Sequence, residues 1–223
     1  MFKDPFLIAK KDVTIVFCGG LGILQAGLLG LLLIFIFSLA SGSSGSLDTQ
    51  WMAAIFWLAS CFSLVFVFNS LFGIEEEGQA RLGLIISPVS LHSLWLGKVM
   101  AGFFFLLLLQ TVFFLAMIVF LGTGEVLSWT VFVVSVLVID WGMVVVASLL
   151  GSLGQGQTGR ESLLSVIIFP LLIPLLLAGI RLGEGVLTQA GTVTFSSWLG
   201  LAGSFSCVYT GAALILFPHV FAE

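Results

Sequence analysis

Charge is scarce in this chain of 223 residues: Lys and Arg number 7, Asp and Glu 11, together 8% of the sequence, against about 25% in ordinary soluble proteins. With 60% of the residues apolar and a mean hydropathy of +1.26, there is too little polar surface to cover a water-soluble fold. Most of the chain must face lipid. Histidine is limited to His92 and His219, one on the cytoplasmic side and one in the C-terminal tail, so neither supplies a base or an axial heme ligand in mid-membrane. An intramembrane serine protease needs such a base, and an enzyme is not expected. The three cysteines, Cys18, Cys61 and Cys207, lie far apart in apolar runs without a CxxC pair, which argues against a metal site and for small buried hydrophobes. No basic patch follows a nucleic-acid backbone.

What is present is length of apolar run. A hydrocarbon core of about 30 Å takes about 20 helical residues to cross, and six runs qualify: Val13–Ala40, Trp51–Phe72, Leu94–Leu121, Val126–Leu153, Leu163–Arg181 and Val193–Phe217. The chain reads as one all-α integral membrane domain with six transmembrane helices. Its separators carry surface punctuation: a Gly/Ser loop over Ser41–Gln50, a turn at Gly122–Glu125 and a polar stretch over Gly183–Thr192. Counting spans puts Lys3, Lys10, Lys11, Arg81, Lys98 and Arg160 on the side of the amino terminus and only Arg181 opposite. By the positive-inside bias both termini are cytoplasmic. A cleaved signal peptide ending at Ser38-Leu39-Ala40 is disfavoured, because the first run is much longer than a signal core and five more follow. Residues 1–12 place Phe2, Phe6 and Ala9 at helical spacing with Val13, and read equally as an interfacial helix or a plain tail.

The apolar runs make a few polar positions conspicuous. Asp140 falls near the middle of the fourth span, and Gln25 and Gln110 at similar distances from the ends of the first and third. The three suggest a midplane polar cluster, either a translocation path or a hydrogen-bonded helix contact. The absence of a basic partner within the membrane favours the contact. Gly154-Gln155-Gly156-Gln157-Thr158-Gly159 spells G-x-G-x-x-G, but an apolar span lies on each side where a dinucleotide loop needs a strand and a helix. It reads as a connector.

The segment 73–93 is more informative. Glu75-Glu76-Glu77-Gly78 precedes Arg81, then Leu82, Leu84, Ile85 and Ile86, then Ser87-Pro88. This is an amphipathic stretch at the cytoplasmic surface, closed by a proline that fixes the backbone before the next helix. It suits a docking element for a soluble partner. In the fifth span, Arg160-Glu161 open the helix, where Glu suits the positive end of the dipole, and Pro170 and Pro174 are expected to kink or break it into a hinge.

The run Arg160-Glu161-Ser162-Leu163-Leu164-Ser165 through Phe169-Pro170-Leu171-Leu172-Ile173-Pro174 resembles the signature of the heme exporter protein B (CcmB) family, and so do Glu75-x-x-Gly78 leading to Leu84-Ile85-Ile86-Ser87-Pro88 and Gly97-Lys98. The amino-terminal charged segment, here only Ala9-Lys10-Lys11-Asp12, is poorer in Arg and acids than the family pattern. The resemblance implies an ABC-2, type V exporter-like permease in the bacterial inner membrane, part of the cytochrome c maturation complex. It implies a CcmA-like ATPase dimer docked at Glu75 to Pro88 and at the Gly154–Glu161 loop, a heme-handling CcmC-like subunit with the small subunit CcmD, and the heme chaperone CcmE. Heme would be cargo and ATP would sit in the partner, with no cofactor resident in this chain. A re-entrant hairpin over Gly183–Thr192 is a further expectation. Two competing readings are an ABC-2 exporter of lipid, glycan or drug, and a non-transporting membrane scaffold.

Overall fold

The computed structural model describes residues 3–19, 21–41, 48–77, 89–122, 128–153, 160–187 and 192–222. Among them every regular element is an α-helix: α1 (Lys3–Gly19), α2 (Leu21–Ser41), α3 (Thr49–Glu77), α4 (Leu91–Leu121), α5 (Trp129–Leu153), α6 (Arg160–Leu187) and α7 (Thr192–Ala222). Six stretches are long and apolar enough to span a membrane: Leu21–Ala40, Thr49–Gly73, Leu91–Leu121, Trp129–Leu153, Val166–Leu187 and Phe195–His219. Apolar residues surround each of these helices, as expected where lipid replaces water as solvent.

Local chemistry sets several ends. Ser90, extended at φ −68° and ψ 140°, caps α4 by accepting from the Ser93 amide at 3.3 Å. At its other end Gly122 takes the left-handed conformation, φ 62°, which a residue without Cβ adopts at no steric cost.

α3 is the pillar of the bundle. Of its span 72% is buried, against 17% for the peripheral α7, and it packs against α2, α4, α5 and α6. α2 approaches α3 and α4 through Gly22, Ala26 and Gly30, one residue per turn, where an added Cβ at Gly22 would collide with Ser70 and one at Gly30 with Phe113. Ser63 seals that contact by donating to the Ala26 carbonyl at 2.9 Å. α7 is fastened to its neighbours by polar contacts: the Tyr209 hydroxyl donates to the Leu171 carbonyl at 2.7 Å, and the Trp141 indole donates to Thr210 Oγ1 at 3.1 Å.

Four expectations from the sequence need correction. The run Val13–Ala40 divides between two described helices: Val13 to Cys18 belong to α1, which packs on α4, and the candidate span begins at Leu21 of α2, which packs on α3, with residue 20 outside the described residues. α1 does not end at residue 12: it runs on to Gly19, with Phe6 exposed. Its buried stripe is Pro5, Ala9, Asp12 and Val16, and it runs beside α4, from Ile8 against Gly97 to Phe17 against Phe104 and Phe105. Phe2 lies outside the described residues.

Finally, α6 is not broken at Pro170 and Pro174; both lie inside one helix that continues to Leu187. Each proline removes a single amide donor, and the bonds of the surrounding turns carry the helix through. Gly183 and Gly185 also belong to α6, so the expected hairpin over Gly183–Thr192 does not form across its first half.

Candidate functional site

Two polar nodes interrupt the apolar interior. The inner one lies at the amino-terminal side of the bundle, where α1, α3 and α4 meet. Lys98 is wholly enclosed at 0% exposure and Asp12 nearly so at 5%. The Lys98 ammonium pairs with Asp12 Oδ2 at 3.1 Å, donates to the Leu71 carbonyl of α3 at 2.8 Å and lies 5.1 Å from the centre of the Phe72 ring. Lys11 reaches the other oxygen of Asp12 at 3.0 Å.

An isolated charge in this position would be costly, and here opposite charges, a carbonyl and an aromatic face share the burden. Gly97 makes the arrangement possible. A Cβ there would press on Ile8 and on the Pro5 carbonyl, so α1 can settle onto α4 only where that side chain is missing. Beside it the Trp95 indole donates to Ser148 Oγ at 3.0 Å, adding α5.

The second node is at mid-span. The Gln110 side-chain amide of α4 donates to Asp140 Oδ1 of α5 at 2.8 Å and to Ser60 Oγ of α3 at 3.2 Å, and Ser60 in turn donates to the Phe56 carbonyl at 2.9 Å. Asp140 is fully buried. Three helices, α3, α4 and α5, are therefore tied by one amide, and among the described residues no cation pairs with the carboxyl. Gln25 takes no part: it is exposed on α2, so similar position along the span did not bring it to the same face. Immediately outward of this node, one helical turn along the same three helices, Phe56, Trp57, Phe114, Phe132 and Val136 line a small apolar cavity.

The other residues singled out in the sequence divide by position. Glu75, Glu76 and Glu77 form the last turn of α3, and Arg160 and Glu161 the first of α6. Gly78, Arg81, Ser87 and Pro88 lie outside the described residues, as does the loop 154–159. Pro170 and Pro174 lie on α6, the first exposed and the second half-buried. His92 and His219 are both exposed.

Sequence reasoning passed over Asp12 as a binding partner and placed Lys98 merely at the inner surface. A lysine well inside the helical run Leu91–Leu121 was the available signal, since an intramembrane cation demands a partner.

The family model described as CcmB protein matches residues 5–222, which takes in α1 from the Gly97 contact onward and all six spans. The chain belongs to the CcmB family. It is thus a multi-pass membrane permease subunit, a heme-exporter component of cytochrome c maturation that works within an ABC transporter complex with other Ccm components, and it is not itself a catalytic enzyme. No curated protein matches the chain. Within the CcmB frame the Gly97-Lys98 pair, noted first as part of the resemblance, has a physical role: it is the seat of the amino-terminal helix.

Proposed function

We propose that this CcmB-family chain is the lever of its complex, moved by ATP hydrolysis in a separate CcmA-type ATPase dimer and serving the release of heme to the chaperone CcmE. The ATPase docks on the cytoplasmic face of the inner membrane, at the segment running from Glu75 to Pro88 and at the loop ending in Glu161. CcmC, with CcmD, handles the heme; heme is cargo, and ATP is bound by the partner.

The observation that carries this reading is the rooting of the docking segment. α3 ends at Glu77, and Leu71, less than two turns before that end, is held by the same Lys98 that holds α1. A push on the segment after α3 therefore acts on three helices at once. An effector shifts an equilibrium only through contacts that differ between two states, and a joint of three helices offers such contacts. With α6 unbroken, the second contact at Arg160 and Glu161 moves a whole span and needs no hinge at Pro170 and Pro174.

The test replaces Glu75, Glu76 and Glu77 with Ala. The protein should still insert, while the ATPase subunit is lost on co-purification and cytochrome c assembly falls. Unchanged attachment and assembly would remove the docking assignment. Loss of assembly with attachment intact would favour a scaffold role for this face.

A further inference from the structure

Between the α1–α2 elbow and α4 lies an open cleft of about 340 Å³, well beyond the water-sized voids of a packed interior. Val16 and Phe17 of α1, Leu24 and Leu28 of α2, and Leu109 and Val112 of α4 form its walls. Every one is apolar, so water is not its natural filling. Two helix directions bound it: α1 follows α4, while α2 packs on both α3 and α4.

The chemistry around the cleft has a direction. Phe17 lies seven residues after Lys10, so the two share a face of α1, about 10 Å apart along the helix. Lys10 is exposed, whereas the neighbouring acid, Asp12, is engaged by Lys11 and Lys98. Along the bundle axis, a cation at the inner end is thus followed outward by an apolar slot. That is the order of headgroup and tail in a lipid of the cytoplasmic leaflet.

We infer that the cleft is a binding site for one anionic phospholipid, its phosphate at Lys10 and one acyl chain running past Phe17 between α2 and α4. The lipid fills the space between α1, α2 and α4 and braces α1 one turn beyond the Asp12–Lys98 joint. The choice of leaflet rests on the inward orientation of the amino terminus; the site does not depend on ATPase docking, which its test leaves untouched.

The test uses the whole protein in nanodiscs of phosphatidylglycerol or of phosphatidylcholine, extracted gently and read by native mass spectrometry for retained lipid. The wild type should retain phosphatidylglycerol in preference. Lys10→Ala should lower that retention about fivefold, the worth of one near-surface cation, and leave phosphatidylcholine unchanged. Val112→Trp and Leu24→Trp, at exposed rim positions that spare the buried packing, should each abolish retention of both lipids. Equal retention of the two lipids by the wild type and all variants would overturn the inference. So would loss of a dimer in the Trp variants with lipid retention unaltered, which would make the cleft a contact between two copies of this chain.

Discussion

The inner and the midplane node both tie α3 to α4, yet they use different chemistry. At the inner end a full ion pair is buried, Lys98 with Asp12, supported by the Leu71 carbonyl and the Phe72 ring. At mid-span one amide donates to a carboxyl and to a hydroxyl, with no cation at the carboxyl among the described residues. The difference follows depth. A lysine stem near the aqueous rim can shelter its ammonium among nearby polar groups. At the centre of the bilayer the same cation would have far to reach, and an amide gives direction without charge. Charge is therefore paired at the inner end, and neutral hydrogen bonding does the tying at mid-span.

The sharpest way to break this contrast is Lys98→Met. It takes the enclosed partner from the buried Asp12, leaving it to the half-exposed Lys11, and should destabilise the protein by about 3 kcal/mol, the low end for breaking a buried pair, seen as lost accumulation in membranes and as a lower unfolding midpoint in detergent. Adding Asp12→Asn should restore most of the loss, because replacing both partners of a buried pair is far cheaper than removing one. If the double variant recovers nothing, the bond from Lys98 to α3 outweighs the pairing with α1.

At mid-span the expected effects are smaller. Asp140→Leu leaves the Gln110 amide short of an acceptor and should cost about 1 to 3 kcal/mol, whereas Asp140→Asn keeps an oxygen for it and should stay within about 1 kcal/mol of wild type. Were the Asn variant normally stable but unable to support cytochrome c assembly, the midplane node would be a path and not a joint. Trp95→Phe removes one buried indole bond beside the inner node and should cost about 1 kcal/mol. Ser90→Ala, a cap outside both nodes, should cost about 0.5 kcal/mol and sets the scale for polar contacts near water. Thermal unfolding of the purified variants orders all four.

The spans were readable because a run of Leu, Ile, Val and Phe needs no partner to declare its place: lipid is the same on every side. The Gln110–Asp140 bond was half readable, since the rarity of such residues marks them, but Gln25 shows that depth along a helix says nothing about the direction a side chain faces. The different packing of α1 and α2 was obscured by hydropathy that continues from one helix into the other. The Asp12–Lys98 pair was the least legible. Its members belong to different helices, each with an ordinary explanation as a flanking charge, and only the packing around Gly97 turns them toward each other.

That pairing has a bearing on biogenesis. Asp12 leaves the ribosome early, yet the cation that receives it is not threaded into the bilayer until two further spans have been made. During synthesis α1 can therefore lock into its seat only after the span that carries Lys98 arrives behind it.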